Sequence, residues 1–469
     1  MTESRLAYLY AVVWVAAAGV FLFHVPFEIS ETLGNLVRYP STPPAHRIFI
    51  DTFLADGPAQ SGFLRTFTLA TNKLLFDASA GHYFATYRAL HVALLLLLIV
   101  CLVRLIRVQS PLMLGLAVLA GTMMLGMHTF HEAVREDQLN IKLMIPALCF
   151  GILCLSVSRP RRWKDIAAIA LMFYAVFANE LGLLLWVGLA SAYLVGFRGV
   201  SRPAVLTATG LIAVYFVLRF VLWDVGGPGL TERSSGFGFR MLDPPELIAR
   251  FGANPLPLYA YNVVAAVLTV LVAEPRSGVF VFVRGVLDRA VSAGLWLEVV
   301  TSVLTTAIMM WFVARRWRVW WRRDVDYYDG VFLVCAAMVA GNAVISYPYL
   351  KEVVMSTGGA FYVLATVVAL RSLIMDLTAR TLVFWRGMAL CVLLGAVSVG
   401  WTLRGVSFFV DLSRYGTDIQ RQWRAMKVPP EDGTRGSEVI ASVRAQMDEL
   451  RVPGLEDAPR WLDALDRDH

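Results

Sequence analysis

Residues 92–103 of the chain read VALLLLLIVCLV, an apolar run without a charge or a proline. The runs at 111–127, 143–157 and 181–196 are also free of charged residues. A helix needs about 20 apolar residues to cross the roughly 30 Å hydrocarbon core of a membrane. In lipid only helices and closed barrels satisfy their backbone groups, and the alternation typical of barrel strands is absent. The runs therefore predict an all-α integral membrane protein.

The composition agrees with this class. Of the 469 residues 58% are hydrophobic and only 16% are charged, whereas soluble domains carry about 25% charged residues. The first apolar run, at about 7–25, is long enough to span and lacks a small-residue cleavage site. We therefore expect it to be a membrane span and not a cleavable signal peptide.

The net charge of +7 does not point to nucleic acid, because the basic residues are concentrated between apolar segments. This is the positive-inside pattern, in which basic loops stay in the cytoplasm. It predicts a cytoplasmic N-terminus and no nucleic-acid partner. The basic clusters are Arg104 and Arg107; Arg159, Arg161, Arg162 and Lys164; and Arg315, Arg316, Arg318, Arg322 and Arg323.

Counting crossings with these clusters inside gives 11 or 13 transmembrane helices. The difference lies in 257–294, where two short apolar runs form either a hairpin across the membrane or interfacial helices. Both counts place the C-terminus outside. The predicted organisation is a polytopic transmembrane domain at 1–403 and an extracytoplasmic helical tail at 404–469. The predicted outer loops, which carry short helices, are 26–86, 128–139, 223–256 and 347–357.

The predicted location is the plasma membrane, because the inner loops are short and basic, as in a bacterial inner membrane. Most hydrophilic residues fall on the outer face, so function is expected there. Membrane lipids are expected to surround the helices. A transporter would need charges at mid-membrane depth, and the apolar runs contain few.

The first outer loop begins with two acids close to the end of the first span. The sequence at 24–31 is HVPFEISE, which contains Glu28 and Glu31. A carboxylate that is partly desolvated at a membrane boundary is suited to act as a general base. The simpler interpretation is two solvated loop acids.

The second outer loop is rich in histidines and acids. His128 and His131 share a helix face at i, i+3 spacing, and Glu132 follows directly. Together with Glu132, the two histidines could bind a divalent cation, which is the only cofactor that this pattern suggests. A hydrogen-bond network that fixes the loop is the favoured interpretation.

Several cations and one further acid lie at predicted outer positions. Arg65, Arg88 and Lys351 either extend to lipid headgroups or bind a phosphate or pyrophosphate group. Glu180 follows Asn179 at the tip between two apolar helices, where an acid is usually only solvated.

Four stretches together resemble polytopic glycosyltransferases of the C superfamily (GT-C). The nearest resemblance is to the transmembrane O-mannosyltransferase branch that carries tetratricopeptide repeats. The HTFHEAV stretch, for example, is similar to that branch's His-Pro-x-His-x-Glu-Ala-Val loop, one residue shorter. The stretches are 65–91, 128–134, 177–185 and 351–361.

The resemblance implies a GT-C-like bundle that takes a sugar from a polyprenyl-phosphate carrier on the outer face. The acceptor is a protein, a lipid or a glycan. Glu28 would then be the catalytic base, with Glu31 the second choice, and Lys351 would contact the carrier phosphate. The residues assigned to substrate binding are His128, His131, Glu132, Arg65, Arg88, Lys351 and Glu180.

The chain also departs from the branch. Asn179 stands where the branch has a lysine, the Glu-Arg pair of the last stretch is Lys351-Glu352 here, and no tetratricopeptide repeats follow. Two alternatives to the enzyme therefore stay open. One is a catalytically degenerate scaffold or binding protein of the cell envelope, and the other is a lipid or solute transporter.

Overall fold

The structure is a computed structural model that describes residues 2–26, 39, 42–54, 66–79, 82–135, 141–223, 230, 233–348, 350–378 and 384–427. Its described part is almost wholly helical, with a single two-stranded hairpin. The α-helices are α1 Glu3–His24, α2 Ala45–Leu54, α3 Thr66–Ser79, α4 Tyr83–Ile106, α5 Pro111–Gly126, α6 His128–Arg135, α7 Ile141–Ser156, α8 Arg162–Ala178, α9 Leu183–Leu194, α10 Arg202–Phe216, α11 Pro244–Phe251, α12 Leu256–Val272, α13 Val281–Leu287, α14 Ala293–Trp321, α15 Tyr327–Ile345, α16 Ser356–Thr378 and α17 Phe384–Lys427.

The remaining elements are short and lie at helix ends. Helix α10 continues as the π-helical segment Val217–Leu222, and 3-10 turns precede α9 and α16 at Glu180–Gly182 and Glu352–Met355. Strands β1 Ser235–Phe237 and β2 Arg240–Leu242 pair antiparallel. The two strands and the turn before α16 fall in segments that the sequence analysis predicts as outer loops.

Seven helices in the described part of the chain are long and apolar enough to cross a membrane, or up to nine if each of two bent pairs is one span. Two shorter apolar helices accompany them, at Lys142–Ser156 and Glu180–Leu194. The chain is therefore an all-α, multi-pass membrane protein, as predicted. The higher total of 11 to 13 also counts the shorter helices and stays a prediction.

Polar residues at helix starts explain several boundaries. The Ser110 hydroxyl accepts the N–H of Met113 at 3.3 Å, and Pro111 occupies the first turn of α5, where its missing N–H costs nothing. Helix α15 begins with a capping box between Asp326 and Asp329. These caps fix the residue at which each helix begins, so the connections stay short and neighbouring helices pack side by side.

The two ends of the bundle differ. At one end, here called the arginine-rich end, short connections meet: the Tyr327 hydroxyl donates to the Leu105 carbonyl at 2.9 Å, and the Ser201 N–H to Asp165 at 2.8 Å. The opposite end, here called the loop-rich end, holds α6, the hairpin, α11 and the 3-10 turn before α16. Helix α16 runs between them in the middle of the core, with its first fifteen residues buried.

Helix α12 does not lead the chain to the other end of the bundle. The Tyr261 hydroxyl donates to the Gly278 carbonyl at 2.5 Å and accepts the Gly238 N–H at 3.0 Å. Residue 278 has therefore returned to the level of residue 261 and to the hairpin. The segment 256–280 enters the bundle and turns back, which corresponds to the alternative without a crossing in 257–294.

Helix α17 corrects the predicted domain boundary at 403. It runs without a break from Phe384 to Lys427, and Arg404 and Phe408 on it are buried in the bundle. The tail that was predicted from residue 404 thus begins inside a packed helix. The rest of the predicted tail, 428–469, lies outside the described residues.

Candidate functional site

Helix α6 forms the centre of the candidate site at the loop-rich end. It follows α5 after a bend of 76° at Met127. Gly359 on α16 permits its close approach, because a Cβ at that position would collide with the Thr129 hydroxyl. A short polar helix is thereby packed directly against the central helix of the bundle.

The two histidines of α6 have protein partners. His131 Nε2 lies 2.9 Å from the Leu125 carbonyl oxygen, and its ring stacks on Phe408 with centroids 4.2 Å apart. His128 is buried, with Nδ1 3.4 Å from an Arg404 nitrogen. Among the described residues no group of three or more His, Cys, Asp or Glu side chains is arranged to hold a metal ion. These contacts have the character of the predicted hydrogen-bond network.

Arg404 is a residue of this cluster that the sequence analysis missed. Its Nη1 donates to the Thr301 and Ser302 hydroxyls at 2.8 and 2.9 Å, and to the Glu298 carbonyl oxygen at 3.2 Å. It is 2% exposed, and each of these acceptors is neutral. The guanidinium therefore joins α17 to α14 and α6, and no carboxylate of the described residues pairs with it.

A signal for Arg404 was present in the sequence. Trp401, Phe408 and Leu412 are buried on the same face of α17 as Arg404, at the i, i+3/i+4 spacing of a helix face. This pattern crosses residue 403 without interruption. A boundary chosen from polar composition alone ignored it.

Lys351 lies exposed just before the 3-10 turn, where three other charges surround it. Desolvation by the protein, and then the positive charges of Arg233 and Lys142, hold the pKa of Lys351 below its ordinary value; Glu132 acts in the opposite direction. The Ser356 hydroxyl donates to the Lys142 carbonyl at 2.8 Å, which fixes the start of α7 beside the start of α16. The charges of Arg233, Lys142 and Glu132, from three other segments, thus all act on Lys351.

Four carboxylates lie in the same region: Glu132 acts on Lys351, and the other three lie near Arg276. Glu132 pairs with Arg135 at 3.0 Å, and Glu298 pairs with Arg276. Glu274 is 5% exposed and accepts the Phe282 N–H at 2.8 Å. Its burial raises the pKa of this carboxyl, an effect that the Phe282 N–H and then the Arg276 guanidinium oppose.

Glu352 is the fourth of these acids. It is half-buried at the first position of the 3-10 turn. The charges that act on it are Arg276 and Glu132. The sequence analysis assigns neither Glu352 nor Arg276 to the site, because the sequence does not show that residues 276 and 352 lie near each other in space.

Arg88 fixes the end of the first span. It is 1% exposed, and its Nη2 donates to the Val25 carbonyl at 2.8 Å. On the other side, Gly416 of α17 packs against Val25, and Gln420 Nε2 lies 3.4 Å from the His24 carbonyl oxygen. The predicted substrate cation thus contacts the backbone just before the first loop. Glu28, Glu31 and Arg65 lie outside the described residues.

Glu180 belongs to a second cluster. It pairs with Arg219 at 3.0 Å, and the same guanidinium donates to the Tyr215 hydroxyl at 2.6 Å. Arg219 lies in the π-helical end of α10 and is buried. The Thr68 hydroxyl of α3 donates to the Ala178 carbonyl at 2.6 Å, so a first-loop helix packs beside this tip.

The structure therefore brings His128, His131, Glu132 and Lys351 together around α6 and the 3-10 turn, as expected from the predicted outer loops. Arg88 and Glu180 lie in separate contacts. Comparison of the chain with family models, with curated proteins and with solved structures finds no match.

Proposed function

We propose that the chain is a membrane glycosyltransferase that moves a sugar from a polyprenyl-phosphate carrier to an acceptor at the loop-rich end. We place this end on the outer face, because the clustered arginines of the opposite end are typical of cytoplasmic loops. The turn-back of 256–280 supports a count of 11 crossings, with the N-terminus in the cytoplasm and α17 ending outside.

The observation that carries the proposal is the convergence of Lys351, Arg233 and Lys142. The positive charges of Arg233 and Lys142 disfavour the charged form of Lys351, and a bound anion would counter that effect. A phosphate ester accepts several charge-assisted hydrogen bonds and matches lysine and arginine donors. The polyprenyl chain of a carrier lies in the membrane, so its phosphate is held at the membrane boundary, where these cations lie.

The long helix α17 contacts both α6 and the end of the first span. Phe408 stacks on His131, and Gly416 packs against Val25. With a rise of about 1.5 Å per residue, these two points on α17 are about 12 Å apart. Glu28, the base that the resemblance implies, follows Val25 by three residues in the sequence and lies outside the described residues.

The proposed reaction is a direct displacement at the anomeric carbon. The acceptor oxygen forms the new bond to that carbon while the bond to the carrier phosphate oxygen breaks. The electron pair leaves with the phosphate, and the acceptor proton passes to a carboxylate. Cations already placed around the phosphate stabilise the developing charge without having to reorganise.

A second candidate, the degenerate scaffold, is supported by Asn179. This residue is buried, and its side chain accepts the Leu181 N–H at 2.9 Å, which caps the 3-10 turn before α9. Asn179 therefore stabilises the turn at the position where the resemblance implies a phosphate-binding lysine. A scaffold would keep the fold and the bound lipid but transfer no sugar.

The test is sugar transfer by the purified full chain in proteoliposomes. Labelled polyprenyl-phosphate sugars are supplied together with extracts of envelope proteins, lipids and glycans as acceptors. We expect label to move from the carrier to an acceptor, with Lys351→Met raising the apparent KM for the donor and Lys351→Arg restoring it. Carrier binding without transfer to any fraction would favour the scaffold. Neither binding nor transfer by the folded protein would contradict both candidates.

A further inference from the structure

The carboxylates at the loop-rich end differ in whether they are free to react. Glu132 is held by Arg135, and Glu298 by Arg276. Glu274 is too buried to meet an acceptor, and one of its oxygens is taken by the Phe282 N–H. A general base must reach the proton it removes, to within about 3 Å. Each of these three acids is already engaged by another group of the protein.

Glu352 differs from them. Within the described residues its carboxylate takes part in no hydrogen bond or ion pair. The residue keeps part of its surface exposed, although protein atoms surround the carboxylate on most sides. It follows Lys351 directly, so the backbone places it next to the cation assigned to the phosphate. The opposed charges of Arg276 and Glu132 flank it.

The backbone around Glu352 is fixed by several contacts. Asn342 of α15 donates through Nδ2 to the Val354 carbonyl at 2.9 Å, and accepts the Gly358 N–H at 2.8 Å. Asn342 is completely buried. The turn is thus held by the central helices, and a base on it would keep its position.

We infer that Glu352 is the catalytic base that receives the acceptor proton in the proposed transfer. The inference rests on the proposed function. The acceptor O–H bond breaks towards the Glu352 carboxylate, the oxygen joins the anomeric carbon, and the electron pair of the broken bond leaves with the carrier phosphate. The proton then passes from Glu352 to water. One displacement needs one proton acceptor, so this assignment competes with that of Glu28 from the resemblance.

The experiment compares Glu352→Gln, Glu352→Asp and Glu28→Gln in the full chain. Transfer rate, donor KM, carrier binding and the pH profile of kcat are measured. We expect Glu352→Gln to lower kcat by about 10²- to 10⁴-fold, the usual contribution of a positioned base. Donor KM and carrier binding should change by less than about threefold, and the fall of kcat at acid pH should disappear in this variant.

Glu352→Asp guards against a folding defect, because it keeps the charge but withdraws the carboxylate by one methylene. It should fold normally, keep the acid limb and lose at least tenfold in kcat. Wild-type kcat in either Glu352 variant would overturn the inference, as would loss of the acid limb in Glu28→Gln alone. In those cases transfer by the wild-type protein would still uphold the proposed function. Absence of transfer by the wild-type protein would overturn both.

Discussion

The two ends of the bundle carry charge in different ways. At the arginine-rich end two arginines of α14 are paired with acids: Arg316 contacts Asp326 and the buried Asp329, and Arg315 contacts Asp376. At the loop-rich end Lys351 faces two other cations, and Glu352 is flanked by one charge of each sign. Paired charges hold helices together at the arginine-rich end. At the loop-rich end two positive charges and one negative charge act on Lys351, a balance that favours binding of an anion.

The largest effect on stability is expected at the arginine-rich end, from Arg316→Gln. Asp329 is 1% exposed, and without Arg316 its charge stays buried and uncompensated. The free energy of unfolding should fall by about 3 kcal/mol, the lower end for a broken buried pair, because Arg316 is partly exposed. Thermal unfolding in detergent measures it, with Arg318→Gln on the same helix as control. Equal stability of the two variants would show that this pair does not hold the end together.

A smaller effect is expected from Arg404→Met, which removes a buried cation that contacts only neutral acceptors. The loss of its charge-assisted hydrogen bonds should lower the free energy of unfolding by about 2 kcal/mol. The control is Arg421→Gln on the same helix, where an exposed pair with Asp418 contributes less than about 1 kcal/mol. If both variants unfold alike, Arg404 is not the joint between α17, α14 and α6.

The pH dependence of carrier binding examines the loop-rich end itself. Lys351 binds a phosphate in its charged form, and its pKa is lowered, so binding should be lost as the pH rises through a range below that of an ordinary lysine. Glu132 raises this pKa. Glu132→Gln should therefore move the loss of binding to still lower pH, whereas Asp77→Asn should not. Binding of labelled polyprenyl phosphate across pH measures the shift, and an unchanged profile would remove Glu132 from the site.

The smallest effect is expected from Glu274→Gln. The pKa of Glu274 is raised in the folded state above the ordinary value of 4.5. At a pH between the pKa of the unfolded state and that of the folded state, Glu274 is protonated in the folded protein and ionised in the unfolded protein. The free energy of unfolding therefore falls as the pH rises through this range. The variant should lack this decline in unfolding temperature, and Asp411→Asn should keep it. If the unfolding temperature falls equally with pH in the wild type, Glu274→Gln and Asp411→Asn, ionisation of Glu274 does not destabilise the folded protein.

A feature could be predicted from the sequence when it depends on residues that are close together along the chain. The apolar runs predicted the long helices, because a span is decided locally by its own residues. The sequence analysis also placed Lys351 and α6 on one face of the membrane, and the structure has the two segments in contact. That this is the outer face stays a prediction. The meeting of Arg404 with Ser302, about a hundred positions away, was not predictable, because it depends on how two long helices pack.

The turn-back after α12 lies between these cases. Its two short runs were visible in the sequence, but hydropathy does not distinguish a short span from a segment that returns. The hydrogen bonds of Tyr261 to Gly238 and Gly278 decide it, and they join residues that are 17 and 23 positions away. A tyrosine inside an apolar run gives no sign of such partners.

The central claim is that the loop-rich end, and not the arginine-rich end, binds the phosphate of a lipid carrier. Equilibrium binding of polyprenyl phosphate to the wild-type protein, Lys351→Met and Arg318→Gln tests it most directly. Loss of a charge-assisted hydrogen bond should weaken binding to Lys351→Met by about 10- to 100-fold, while Arg318→Gln binds like the wild type. Wild-type affinity in Lys351→Met, or a loss confined to Arg318→Gln, would contradict the claim.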